Sequence, residues 1–175
     1  MWLTRTNPRL SFVAQDLSQF ATNPGPQHVS AAIRVLVHIH SNPGTELTFH
    51  GTDGVLNQSF PHRKTLIGMC DSDFSHKGAK AVSGCSVLMN GAVIFHVSRR
   101  QTTVSQTSAE AEVKAAALIT EALMAIVQLW SEIAGAVHPM VRVLIDNKAA
   151  KRQCVSGADS MASAPYLRCK SYCES

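Results

Sequence analysis

The sequence predicts an α/β fold: a mixed sheet of three antiparallel strands, a long helix, a parallel fourth strand and a short helix, preceded by an N-terminal helical segment. Three observations predict it. Short apolar runs of strand length recur between residues 65 and 97, and two of them are joined by Asn90-Gly91, the strongest short hairpin signal. A long run from Ser108 to about Ala134 is apolar on most sides, which suits a helix covered by a sheet and by other helices. The strand-like run Val141 to Ile145 follows it. A chain that crosses a sheet by way of such a helix returns parallel to an earlier strand, by a right-handed connection.

The elements follow in order. Asn7 is a good N-cap and Pro8 suits a first helical turn. Leu10, Val13, Leu17 and Phe20 then recur at helical spacing, until Asn23-Pro24-Gly25-Pro26 stops the helix. A second helix spans about Gln27 to His40 and ends at Ser41-Asn42-Pro43-Gly44. Thr45 to Phe49 is a short strand candidate, His50 to Gly54 a turn, and the stretch to Lys64 loop-like. Strands are expected at Thr65 to Asp71, Val82 to Met89 and Ala92 to Val97, with a polar turn at Ser75-His76-Lys77-Gly78. After the long helix and the fourth strand, Lys148 to Cys154 forms a short helix closed by Ser156-Gly157, and the tail beyond is poorly patterned. This divides the chain into a helical segment over 1–60 and an α/β domain over 64–175.

Composition bounds the function. The chain has 175 residues, 45% of them hydrophobic, and a formal net charge of +4, which fits one domain with an appendage and a sizeable core. No uninterrupted apolar run approaches the roughly 18 residues of a membrane span, and the N-terminus lacks a signal-peptide layout. The five cysteines are odd in number and contain no Cys-x-x-Cys pair, which argues against a disulfide framework and a zinc ribbon. Reduced thiols in a cytoplasmic or nuclear protein, not a secreted one, are the expectation, and no membrane partner is expected.

Three acids fall at meaningful points. Asp71 ends the first strand, Asp146 ends the fourth, and Glu112 lies in the first turns of the long helix. If the first and fourth strands are parallel neighbours, Asp71 and Asp146 stand side by side at the carboxyl edge where ligand sites of α/β sheets gather. Such an oxygen-rich cluster suits Mg²⁺ or Mn²⁺. Two ions there would serve phosphodiester cleavage. Each acid has a structural alternative: Asp71 as a turn residue, Asp146-Asn147 as a helix cap, and Glu110 and Glu112 as answers to the helix dipole. Thr107-Ser108-Ala109-Glu110 fits a capping box, which assigns Glu110 a structural role and leaves Glu112 to face elsewhere.

These residues resemble a known family. Cys70-Asp71-Ser72-Asp73-Phe74 is similar to the "S-D-A-D-W" opening of the ribonuclease H domain in copia-type retrotransposon polyproteins. Ser98 to Glu112 resembles that family's "S-K-K-Q-x-T-V-x-x-S-S-T-E-A-E", and Val143 to Ala150 its "x-x-x-D-N-Q-S-A". Upstream, Thr6 to Phe12 and His28 to Val37 resemble the segment that joins the reverse transcriptase to that domain. The resemblance implies a ribonuclease H-like fold that hydrolyses the RNA strand of an RNA–DNA hybrid. Asp71, Glu112 and Asp146 would be the catalytic and metal-binding carboxylates for two Mg²⁺ or Mn²⁺ ions. Arg99, Arg100 and Gln101, or Lys148, Lys151 and Arg152, would contact phosphates, with a solvated surface as the alternative reading of these residues.

The same resemblance implies a reverse transcriptase partner in one polyprotein, and a virus-like particle or the nucleus as location. The segment 1–60 would be the polymerase's C-terminal remnant, and 64–175 a truncated or degenerate ribonuclease H domain. One departure stands out. Arg168 occupies the place of a fourth family acid, with Asp159 and Glu174 as candidate substitutes. A catalytically inactive remnant that binds nucleic acid or protein is the alternative expectation.

Overall fold

The computed structural model of the chain describes residues 7–43, 65–74, 79–134, 140–158 and 167–170. Two compact units divide it, Met1–Leu47 and Thr48–Ser175. In the first, the Asn7 side chain accepts the Arg9 backbone N–H at 3.2 Å and starts a 3₁₀ turn over Pro8–Leu10, which runs on into α1 (Ser11–Ser18). The Pro-Gly stop is followed by α2 (Pro26–Ser41), with Pro26 in the first turn. The His28 ring caps α2 by accepting the Gly25 N–H at 3.0 Å and stacks on Phe20 at a centroid distance of 3.8 Å.

The second unit holds a five-stranded sheet in the order β3-β2-β1-β4-β5. Its strands are β1 (Thr65–Asp73), β2 (Val82–Met89), β3 (Ala92–Arg100), β4 (Met140–Leu144) and β5 (Leu167–Lys170). The first three form an antiparallel meander, while β4 pairs parallel to β1 and β5 parallel to β4. Between β3 and β4 runs α3 (Ser108–Ala134), and α4 (Lys148–Ala158) follows β4. This topology is a ribonuclease H-like mixed α/β sheet. The hairpin turn carries Asn90 at φ 50° and Gly91 at φ 83°, the paired left-handed geometry that makes Asn-Gly favourable there.

The structure departs from the sequence reading at several elements. β3 continues to Arg100 because each residue to the end keeps its ladder partner on β2, Arg100 opposite Val82. α4 passes through Gly157, a residue that weakens a helix without forbidding it. β5 falls in the tail, where four residues are too few to show a period. The candidates at Thr45–Phe49, 50–54 and 75–78 lie outside the described residues.

α3 packs one face on β1 and β2 and is near α4. Leu66, Val87, Ile119, Leu123, Val141 and Ile145 fill the interface and are almost wholly buried. The helix is long and apolar enough, by length and composition alone, to cross a membrane, yet this buried stripe gives it a core partner in the sheet. It is less enclosed than the sequence suggested: Met124, Leu129 and Ile133 on the far face are 60%, 55% and 76% exposed.

Gly68 lets α3 approach the sheet. A Cβ there would lie 2.6 Å from Leu123 Cδ1 and 2.9 Å from Ile119 Cγ1. Gly68→Val is therefore expected to destabilise the domain by about 1–3 kcal/mol, read as a lower urea midpoint. An unchanged midpoint would mean that α3 does not pack on β1 at this point.

Candidate metal centre

Strand register places the first two acids. β1 and β4 pair parallel from Thr65 opposite Met140 to Met69 opposite Leu144. The same offset carried two residues further sets Asp71 beside Asp146 at the carboxyl edge of the sheet. Both are exposed, whereas Glu112, arriving from α3, is 5% exposed. One carboxylate oxygen from each of Asp71, Glu112 and Asp146 lies within 4.8 Å of the others.

Local chemistry leaves these three acids available. The Thr107 hydroxyl accepts the Glu110 N–H at 3.1 Å, so Thr107 caps α3 as expected. The Glu110 carboxylate returns to the Gln106 N–H at 2.8 Å, not to that of Thr107, and pairs with Lys114 at 2.7 Å. Those contacts, Lys114 foremost, hold its carboxyl below the usual range. At α4 the cap is Asn147, whose Oδ1 accepts the N–H groups of Ala149 at 2.9 Å and Ala150 at 3.1 Å. Asp146 is thereby relieved of the capping role that its position invited.

Glu112 is the strained member. The Ser72 backbone N–H donates to Glu112 Oε1 at 3.3 Å and to Asp71 Oδ1 at 2.7 Å. Glu112 Oε2 is buried with no hydrogen-bond partner among the described residues. Burial first, then the charges of Asp146 and Asp71, push its carboxyl up to about 7, against the pull of the Ser72 amide. Beneath the cluster Cys85, buried and next to Glu112's charge, is pushed up to about 12 and remains a neutral thiol, donating to the Ala115 carbonyl at 3.5 Å.

A buried acid with one carboxylate oxygen lacking a partner, clustered with two further carboxylates, fits a hard divalent cation, which binds oxygen ligands and cancels their mutual repulsion. Asp71, Glu112 and Asp146 are the residues that would hold it.

The remaining sequence candidates divide. Arg99 and Arg100 are exposed at the end of β3. Arg100 pairs with Val82 and Val82 with Asp73, so the arginines share the acids' edge two strands away, about 10 Å. Lys148 is exposed at the start of α4. Gln101 is corrected: it is 8% exposed and its amide is consumed inside the protein, so it is not offered to phosphate. Arg168 is corrected too. It pairs with Arg142, four residues short of Asp146, which places its backbone about 13 Å back along the sheet from the acid edge. Asp159 and Glu174 lie outside the described residues. The Ser72 amide was missed by sequence reading; the signal available was its place directly after an acid at a strand end, where a free N–H turns toward the carboxylates.

In EDTA, the raised Glu112 carboxyl binds a proton in the folded state that the unfolded chain, near 4.5, has already lost. Its contribution is therefore intact below pH 4.5 and is lost as pH rises through about 7. Wild type should therefore lose stability relative to Glu112→Gln between pH 5 and pH 8. Denaturant titrations at the two pH values check this, and parallel curves for the two proteins would contradict it.

No known family model matches the chain. Among solved structures, Argonaute of Marinitoga piezophila in complex with a 5′ OH guide RNA is similar at a TM-score of 0.44 and 12% identity, over 65% of this chain and 17% of that one. The catalytic domain of human Endonuclease V is similar at a TM-score of 0.27 and 20% identity, over 70% and 48% of the two chains. The chain thus spans less than half of either structure. Secreted RxLR effector protein 161 of Plasmopara viticola is 32% identical over 120 residues, 66% of this chain and 77% of its own length. That this relative is a secreted protein overturns the expectation of a cytoplasmic or nuclear, non-secreted location, which rested on the odd cysteine count and on the first residues of the sequence. At that identity and coverage, the chain belongs to the same family as this effector.

Proposed function

We propose that the α/β unit is a divalent-metal-dependent phosphodiester hydrolase that cuts the RNA strand of RNA–DNA hybrids. The observation that carries this reading is the convergence of Asp71, Glu112 and Asp146, together with a buried Glu112 Oε2 that has no hydrogen-bond partner among the described residues. The motif resemblance to copia-type ribonuclease H domains supplies the substrate, and by the same resemblance the helical unit is a connection to a polymerase.

Mg²⁺ or Mn²⁺, as a pair of ions, would supply an activated water and charge at the leaving oxygen. Asp71 and Asp146 hold the exposed side of the site open to a phosphodiester, and Glu112 anchors it from the buried side. Arg99, Arg100 and Lys148 neutralise neighbouring phosphates along the same edge.

Kinship with an effector favours a second reading, in which the fold is kept as a binding module without cleavage. A labelled RNA–DNA hybrid with Mg²⁺ or Mn²⁺ separates the two. Cleavage by wild type is expected, with Asp71→Asn and Asp146→Asn each reducing it beyond the 10–100-fold typical of residues one shell further out. Cleavage that survives both substitutions contradicts the site, and hybrid binding without cleavage supports the module. Arg99→Ala with Arg100→Ala should weaken hybrid binding and lower the salt dependence by about one ion per arginine. An unchanged salt slope would remove both from the interface.

A further inference from the structure

We infer that Gln101 is a positioning residue for Glu112. The inference rests on the metal site proposed above and concerns what holds its buried ligand in place.

Gln101 begins the connection from β3 to α3, and its backbone N–H donates to the Ala81 carbonyl at 2.8 Å. Its side-chain Nε2 donates to Ser83 Oγ and to the Ala111 carbonyl, both at 2.9 Å, and its Oε1 accepts from Ser105 Oγ at 2.8 Å. Three of the amide's bonds are thus made in a buried setting, where leaving any group unpaired is costly.

The partners close a ring around the site. Ser83 is the cross-strand partner of Ser72, whose N–H donates to Glu112. Ala111 is bonded directly to Glu112. Gln101 therefore ties the strand that backs Ser72 to the helical turn that carries Glu112, setting the height and rotation of α3 against the acid edge. Lys114 braces the far side of the ring through Thr103 Oγ1 at 2.9 Å and Ser105 Oγ at 3.1 Å. A buried group that joins the strand behind Ser72 to the residue before Glu112 orients Glu112 as outer-shell partners orient metal ligands.

The test is Mn²⁺ binding to the whole chain, followed by loss of the free-ion electron paramagnetic resonance signal, for wild type, Gln101→Met and Ser105→Ala. Met keeps the side chain's length and removes its hydrogen bonds. Ser105→Ala removes a single partner, and it carries the test alone if Gln101→Met does not fold. Melting in EDTA identifies the folded protein. The expected result is a Mn²⁺ affinity about 10–100-fold weaker for Gln101→Met and a smaller loss for Ser105→Ala. A purely structural role would lower the melting temperature and leave the affinity of the folded protein unchanged, and that outcome overturns the inference alone. A wild-type chain that binds no Mn²⁺ overturns the proposed metal site, and this inference with it.

Discussion

Mutual repulsion among Asp71, Glu112 and Asp146 is the constraint around which the α/β unit is arranged. Two of the acids reach the edge through the parallel pairing of β1 with β4, and the third is carried in by a helix that must sit close to β1. Gly68 provides the closeness, and the Ser72 backbone amide donates a hydrogen bond to Glu112. One backbone amide offsets little of the cost of three clustered carboxylates, so Glu112 holds a proton up to about pH 7. A protein that keeps such an arrangement stores an electrostatic deficit that a divalent cation cancels.

A division of labour among sequence neighbours spares Glu112 and Asp146 the capping roles their positions invite. Glu110 takes the Lys114 pair and the Gln106 amide two residues before Glu112. Asn147 caps α4 immediately after Asp146. Gln101 donates to the Ala111 carbonyl, next to Glu112, and to Ser83 Oγ. In each case a nearby polar side chain satisfies the local backbone, and the acid is left directed at its counterparts. The same logic explains why the acids look ordinary one at a time, as caps and strand ends, and become distinct once assembled.

Much of this was legible in the sequence. Asn90-Gly91 marks the hairpin because only left-handed backbone closes it. The capping box separates Glu110 from Glu112 by a local rule that the structure follows, with the return bond shifted by one residue to Gln106. Other features were not legible for physical reasons. β5 is too short to show a period and is defined by its neighbour β4. Gln101 reads as polar and available beside two arginines, and its burial depends on contacts with Ser83 and Ala111 that are distant in sequence or made across a turn. The exposed far face of α3 reads as core, because composition reports how apolar a face is and not whether anything covers it.

The central claim is that these three carboxylates form one divalent-cation site. Anomalous scattering from crystals grown with Mn²⁺ tests it most directly. The account predicts a peak bonded to an oxygen of each of Asp71, Glu112 and Asp146, with Glu112 Oε2 among the ligands. Its absence from the acid edge, or a Glu112 side chain turned away from a metal held by the other two, would contradict it.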